Sequence, residues 1–272
     1  MIDLTRLAAV RQRRPLIHCV SNIVSANDCA NLALAVGASP MMAQAPQEMA
    51  DITAISAATV LNTGTPDEEK FQVCMLCGKE AARLGQPVVL DPVGVGASPW
   101  RLERTRELLH LFTPSILRVN LAEGQALSQG DSRGQGVDSP APSARGEQLE
   151  TAARLAAHRR TTVLLSGPED IVTDGNTAWC VSGGSGQMAR VTGTGCMLSV
   201  LCGVFAAVEP DMVSAAVLAS AFWKACSQKA EGLAGSRGLG SFHTALLDTA
   251  GTLTAEELAA GACIEKLNIP PL

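Results

Sequence analysis

Short apolar runs rich in β-branched residues alternate along the chain with longer segments of helical period. LIHCV (16–20) precedes ANDCANLALAVG (26–37), TVLNTG (59–64) precedes the segment after Pro66, and PVVLDPV (87–93) precedes RLERTRELLHLF (101–112). Repeated βα order predicts an α/β fold with a mainly parallel central sheet and helices on both faces. ILRVN (116–120) and TTVLLSG (161–167) continue the strands, and IVTDG followed by NTAWCV reads as a hairpin turning at Asp174, Gly175 and Asn176. MARV (188–191) reads as a further strand, after which the last third is mostly helix from Cys196 onward. The expected organisation is one domain over residues 1–272. The Gly, Ser and Pro-rich tract Ser128–Gln148 is expected to be a mobile surface loop within it.

Four of the β-like runs end in a polar residue: Asn62, Asp91, Asn120 and Ser166. In an open parallel sheet the carboxyl ends of the strands share one edge, and ligands bind outside it. Any one of the four could merely cap the next helix or turn. Together, two of them followed by the turns NTG and SGP, they mark that edge as the candidate site. Glu123 stands three residues after Asn120 in RVNLAEG, the spacing of a capping box and equally of two side chains turned back to the sheet edge. Brought together at adjacent strand ends, Asp91 and Glu123 would suit magnesium, which binds one or two carboxylates together with water and substrate phosphate.

Composition and charge narrow the classes. A chain of 272 residues, 47% hydrophobic and 17% charged, is long enough for one large core. The formal net charge of -5 and the lack of a basic stripe disfavour a nucleic-acid partner. The longest apolar tract, Cys196–Val208, ends at Glu209, Pro210 and Asp211, short of the roughly 20 residues needed to cross a bilayer. The first residues lack the apolar stretch of a secretory signal, and the nine scattered cysteines resemble reduced core residues, so a cytoplasmic protein with no membrane partner is expected. Cys74 and Cys77 form the one CxxC, in a helix-like run without a second pair at zinc-ribbon spacing.

The most specific local signal is VTGTGCMLSVLCGVFAAV (191–208), in which Gly193-Thr194-Gly195-Cys196 opens a long apolar helix. Glycines let the backbone approach a ligand, and the free N–H groups and dipole of a helix N-terminus attract an anion. The phosphate-loop lysine and the third glycine of a dinucleotide fingerprint are both missing. Cys196 at this position can be a small core residue, a covalent nucleophile or a base, since a helix N-terminus lowers a thiol pKa from its usual value of about 8.5. His18 and Cys19 are adjacent on one strand and point to opposite faces, which makes them structural.

Read together, PLIHCVSNIVSANDCANLALAVGASPMM, LNTGT, VVLDPVGVGASPWR, LSGPEDIVTDG, VTGTGCMLS and GSFHTALLD resemble the hydroxyethylthiazole kinase family over nearly the whole length. The resemblance implies a ribokinase-like fold and ATP-dependent phosphorylation of a thiazole alcohol with Mg2+. It implies substrate contacts from Met42 and Gly193, nucleotide contacts from Arg118, Ser166, Asn120 and Gly195, magnesium-site carboxylates at Asp91 and Glu123, and the catalytic base at Cys196. It also implies a homotrimer with active sites between subunits, the Met42 region reaching across to a neighbour. Two positions depart from the family pattern: Val119 stands where a glycine is usual, and Ser166 where a threonine is usual. The alternatives are a kinase for another vitamin precursor such as a hydroxymethylpyrimidine, acyl transfer through Cys196 as nucleophile, and a non-catalytic nucleotide sensor. The acyl-transfer reading leaves Asp91 and Glu123 without a role.

Overall fold

A computed structural model describes residues 2–128 and 145–269. Its strands form one sheet of nine: β1 (Leu16–Val20), β2 (Ser39–Met41), β3 (Ala58–Asn62), β4 (Val88–Asp91), β5 (Ile116–Asn120), β6 (Thr162–Ser166), β7 (Asp170–Thr173), β8 (Ala178–Ser182) and β9 (Cys263–Leu267). Their order is β2-β1-β3-β4-β5-β6-β7-β8-β9, parallel from β2 through β6 and antiparallel from β6 through β9. The register pairs Asn62 with Asp91 and Asn120 with Ser166, so the four polar strand ends do share one edge.

Alternation along each strand divides the core in two. Ile116 and Leu164 point to one face while their neighbours Leu117 and Leu165 point to the other, all fully buried. The first face is covered by α1 (Arg6–Arg13), α2 (Ala26–Val36), α8 (Thr194–Ala206), α9 (Met212–Ala234) and α10 (Leu239–Thr252). The second is covered by α3 (Met49–Ile55), α4 (Glu68–Leu84), α5 (Pro99–Leu111), α6 (Leu121–Ser128) and α7 (Arg145–Arg159), and α11 (Ala255–Gly261) precedes β9. Phe205 of α8 meets Phe222 of α9 edge-on at 6.0 Å between ring centres. Burial of each such ring stabilises by about 1.5–3 kcal/mol.

Local chemistry explains the helix starts. Asp67 accepts the Lys70 N–H at 2.7 Å to open α4, and Ser98 accepts the Arg101 N–H at 3.3 Å ahead of Pro99 to open α5. The hairpin turns where expected, its Asp174 side chain accepting the N–H groups of Asn176 and Thr177. Cys74 and Cys77 lie buried in α4, and all nine cysteines are free thiols.

Two expectations change. MARV is not a strand: Gly186–Arg190 is a 3-10 helix started by the Ser185 hydroxyl, and the Thr194 hydroxyl holds its far end by donating to Met188 O and Val191 O. The expected loop Ser128–Gln148 overlaps helix at both of its described ends. Ser128 ends α6 and Arg145–Gln148 begin α7, while 129–144 fall outside the described residues. No helix among the described residues is long and apolar enough to cross a membrane.

Candidate active site

The N-terminus of α8 sits above the shared strand edge. Gly193 precedes the helix at φ 84°, a left-handed conformation that disfavours a side chain, and no side chain caps the first N–H groups. The loop before it is pinned from behind: the Thr194 hydroxyl donates to Met188 O at 3.0 Å, and Trp223 Nε1 of α9 donates to Thr194 O at 3.0 Å. The open helix end therefore faces the strand ends with its donors unspent.

Arg118 of β5 lies directly beneath. Its Nη2 donates to Ser166 Oγ at 2.6 Å, its Nη1 stands 3.4 Å from Asp91 Oδ1, and its buried Nε has no partner. A Cβ added to Gly195 would stand 2.7 Å from Nη2 and 2.9 Å from Nη1, so only glycine lets the helix approach the guanidinium this closely. Arg118, Asn120, Ser166 and Gly195 line a cavity of about 610 Å³ that continues past Gly183, Ser185 and Lys224. Lys224 Nζ holds the turn after Ser166 by donating to Pro168 O at 3.0 Å and lies 3.4 Å from Asp170 Oδ1. Val119 points away from this cavity into the second core face, fully buried, so the departure from glycine is absorbed by packing.

The two carboxylates differ in their surroundings. Asp91 is fully buried at the end of β4; its Oδ2 accepts from Asn62 Nδ2 at 2.9 Å and from Ser199 Oγ at 2.7 Å. Burial pushes its pKa up to about 6 against the opposing pull of Arg118. Glu123 forms the full capping box, Oε2 accepting Asn120 N–H at 2.8 Å while Asn120 Oδ1 accepts Glu123 N–H at 2.9 Å. Its Oε1 accepts the Gly94 N–H at 2.8 Å, which ties the DPVGVG turn to α6. Asp91 Oδ1, with only the long contact to Arg118, is the carboxylate oxygen least committed to protein donors. An all-oxygen corner with one such atom fits a magnesium ion completed by phosphate and water.

Cys196 is partly exposed in the first turn of α8, and its sulfur accepts from Asn22 Nδ2 at 3.2 Å. Met42 follows β2, on the opposite side of β1 from the carboxylates, and packs partly buried against the first core face rather than lining the cavity. The adjoining carbonyl, Ala43 O, lies 3.1 Å from His18 Nε2, which makes that histidine structural. Asn22, Ser199 and Lys224 are site residues that inspection of the sequence passed over. Asn22 follows LIHCV by two positions and belongs to the same class of polar strand end, and Ser199 is three residues after Cys196 on the same helix face. For Lys224, far along a helix, no local signal exists.

The hydroxyethylthiazole kinase family model matches residues 7–256 of this chain. Hydroxyethylthiazole kinase of Methanoculleus marisnigri is 40% identical over 260 residues, covering 96% of this chain and 92% of that protein. The solved hydroxyethylthiazole kinase of Pyrococcus horikoshii OT3 superposes with a TM-score of 0.88 at 32% identity, over 97% of this chain and 99% of that one. Pyridoxal kinase of Staphylococcus aureus in complex with ADP is similar in fold alone, with a TM-score of 0.61 and 13% identity over 79% of this chain and 87% of that one.

Proposed function

The chain belongs to the hydroxyethylthiazole kinase family, with its ribokinase-like fold, and from that premise we infer that it transfers the γ-phosphoryl group of ATP to the hydroxyl of 4-methyl-5-(2-hydroxyethyl)thiazole, giving the phosphate used for thiamine diphosphate biosynthesis. The observation that carries the reading at this site is the uncapped α8 N-terminus held against Arg118 through Gly195. Two sources of positive potential converge there on the cavity edge, which is what a polyphosphate requires.

The whole chain acts as one kinase domain in this reading. Arg118, at the cavity wall, and Ser166 bind nucleotide phosphate oxygens, with Asn120 and Gly195 on the same side. Gly193 and Met42 contact the thiazole. As the substrate oxygen attacks the γ-phosphorus, the bond from phosphorus to the bridging oxygen breaks, ADP leaves, and Cys196 takes the hydroxyl proton. The first N–H groups of α8 stabilise the transferred charge. Asp91 and Glu123 would hold magnesium, which when bound offsets charge on the phosphates. Glu123 acts mainly by fixing the turn, since both its oxygens already accept N–H groups.

Two further parts of the reading concern the protein's setting. A homotrimer would cover Ile23 and Val24, which are 83% and 58% exposed beside Asn22. Nine free thiols fit the reducing cytoplasm.

An ADP-release assay tests the function, comparing the thiazole alcohol with a hydroxymethylpyrimidine, with and without Mg2+. Magnesium-dependent turnover with the thiazole alcohol is expected to dominate. Preference for the pyrimidine would redirect the substrate assignment, and ATP binding without ADP release would leave a nucleotide sensor.

A further inference from the structure

Asn22, in the connection from β1 to α2, and Asn62, at the end of β3, form a chain of amides that the roles above leave unused. Asn22 is buried, and its Oδ1 accepts the N–H groups of Val24 at 3.0 Å and Ser25 at 3.1 Å where the backbone turns into α2. An amide oxygen committed to two backbone donors fixes which end of the side chain is which. The NH2 group is therefore aimed into the site, where it meets two acceptors: Asn62 Oδ1 at 3.0 Å and Cys196 Sγ at 3.2 Å. One hydrogen is available for each.

Asn62 is fixed by the same logic. Its Oδ1 also accepts the Gly64 N–H at 2.9 Å, so its own NH2 must donate to Asp91 Oδ2 at 2.9 Å. Orientation thus passes without ambiguity from two backbone turns to the sulfur. A donor already fixed at the sulfur orients its lone pairs and need not reorganise as a proton moves there.

We propose that Asn22 is a positioning residue for Cys196: its amide, locked by the Val24 and Ser25 N–H groups and by Asn62, donates to the sulfur and holds it as the acceptor of the substrate's proton. The proposal rests on the reading of Cys196 as the base. Two other groups interact electrostatically with the sulfur, Arg118 from β5 and Cys29 from α2, while Asp91 of β4 and Asp28 of α2 act on Cys29, and His243 of α10 stands 3.2 Å from Asp28. All of these stay in place when Asn22 alone is changed, so comparison between variants isolates its contribution.

The test uses the full-length protein in its native assembly, with Asn22→Ala, Asn22→Asp, Cys196→Ala and Cys196→Asp. Iodoacetamide labelling of the Cys196 peptide is followed against pH, with the exposed Cys263 as the internal reference. In Asn22→Ala the labelling midpoint should rise by roughly one pH unit, the scale of one hydrogen bond to a charged group, and kcat should fall by about tenfold while KM for ATP holds. Asn22→Asp keeps an oxygen for Val24 and Ser25 but presents the sulfur with an acceptor, so its midpoint should rise at least as far. This near-isosteric variant decides the matter if Asn22→Ala does not fold. In a Cys196→Asp background, removing Asn22 should cost less than in the wild type, because the base is already a carboxylate. An unmoved labelling midpoint in the Asn22 variants would overturn the proposal, whether kcat falls, as it would if Asn22 served the substrate directly, or stays the same. Full turnover in Cys196→Ala would instead overturn the base assignment, and the labelling profile would still report on the Asn22 contact separately.

Discussion

Gly195 and Arg118 are packed so closely that a single methyl group would part them: a Cβ on the glycine would lie 2.7 Å from one terminal nitrogen of the guanidinium and 3.0 Å from its central carbon. The guanidinium would have to give up its contacts with Ser166 and Asp91, which outweighs alanine's better helix propensity, so Gly195→Ala should lower the melting temperature. The displaced guanidinium should lose its phosphate contact, a cost of about 1.5–3 kcal/mol that appears as a 10- to 100-fold rise in KM for ATP. Steady-state kinetics beside a melting curve checks both halves. A wild-type KM would mean that Arg118 does not serve the nucleotide from this position.

Asp91→Asn and Glu123→Gln should separate charge from scaffold. The Asn amide oxygen can still accept from Asn62 and Ser199, so Asp91→Asn should abolish the response to magnesium with little change in melting temperature. Gln at 123 can satisfy only one of the Gly94 and Asn120 N–H groups with its oxygen, so it should also cost about 1–3 kcal/mol of stability. Titrating activity with magnesium and following denaturation of each variant tests this. Wild-type rates at limiting magnesium in both would remove the metal assignment.

For Cys196, replacement by Ala or Ser should lower turnover by about 10²-fold or more, the scale of general-base loss, while binding of both substrates persists. Cys196→Asp should retain substantial activity, because a carboxylate at the helix N-terminus can also take the proton. A dead but well-folded Asp variant that still binds both substrates argues against the base. Trapping of a covalent acyl intermediate would favour the nucleophile.

Acid sensitivity of the fold should trace partly to His18. Burial holds its pKa below the ordinary value of 6.5, so the unfolded chain takes up this proton at a higher pH than the folded one. The stability associated with neutral His18 is present above pH 6.5 and is lost as pH falls from there towards the depressed folded value. His18→Gln, which can still donate to Ala43 O, should flatten this part of the stability profile in urea titrations between neutral and mildly acidic pH. An unchanged slope would assign the acid sensitivity elsewhere.

Assembly gives a further check. Light scattering should report three times the chain mass, and Ile23→Asp or Val24→Asp should reduce it together with activity. A fully active monomer would exclude sites shared between subunits.

The parts of this protein that short-range energetics control were legible along the chain. The βα alternation, the hairpin at Asp174, and the capping box between Asn120 and Glu123 depend on neighbours within four residues, where periodicity and capping carry the signal. So did the polar strand ends Asn62 and Asp91, because parallel strands must present their carboxyl ends at one edge. What the sequence could not settle were relationships fixed by strand order and helix placement. Asn22 reaches Cys196 across 174 positions, Arg118 meets Gly195 only once α8 crosses the edge, and Met42 falls on the far side of β1. MARV carries strand-like residues yet forms a 3-10 helix held through Thr194, which Trp223 of α9 pins from 29 positions away. Such contacts depend on which elements become neighbours when the two core faces are buried, and no local preference encodes that choice.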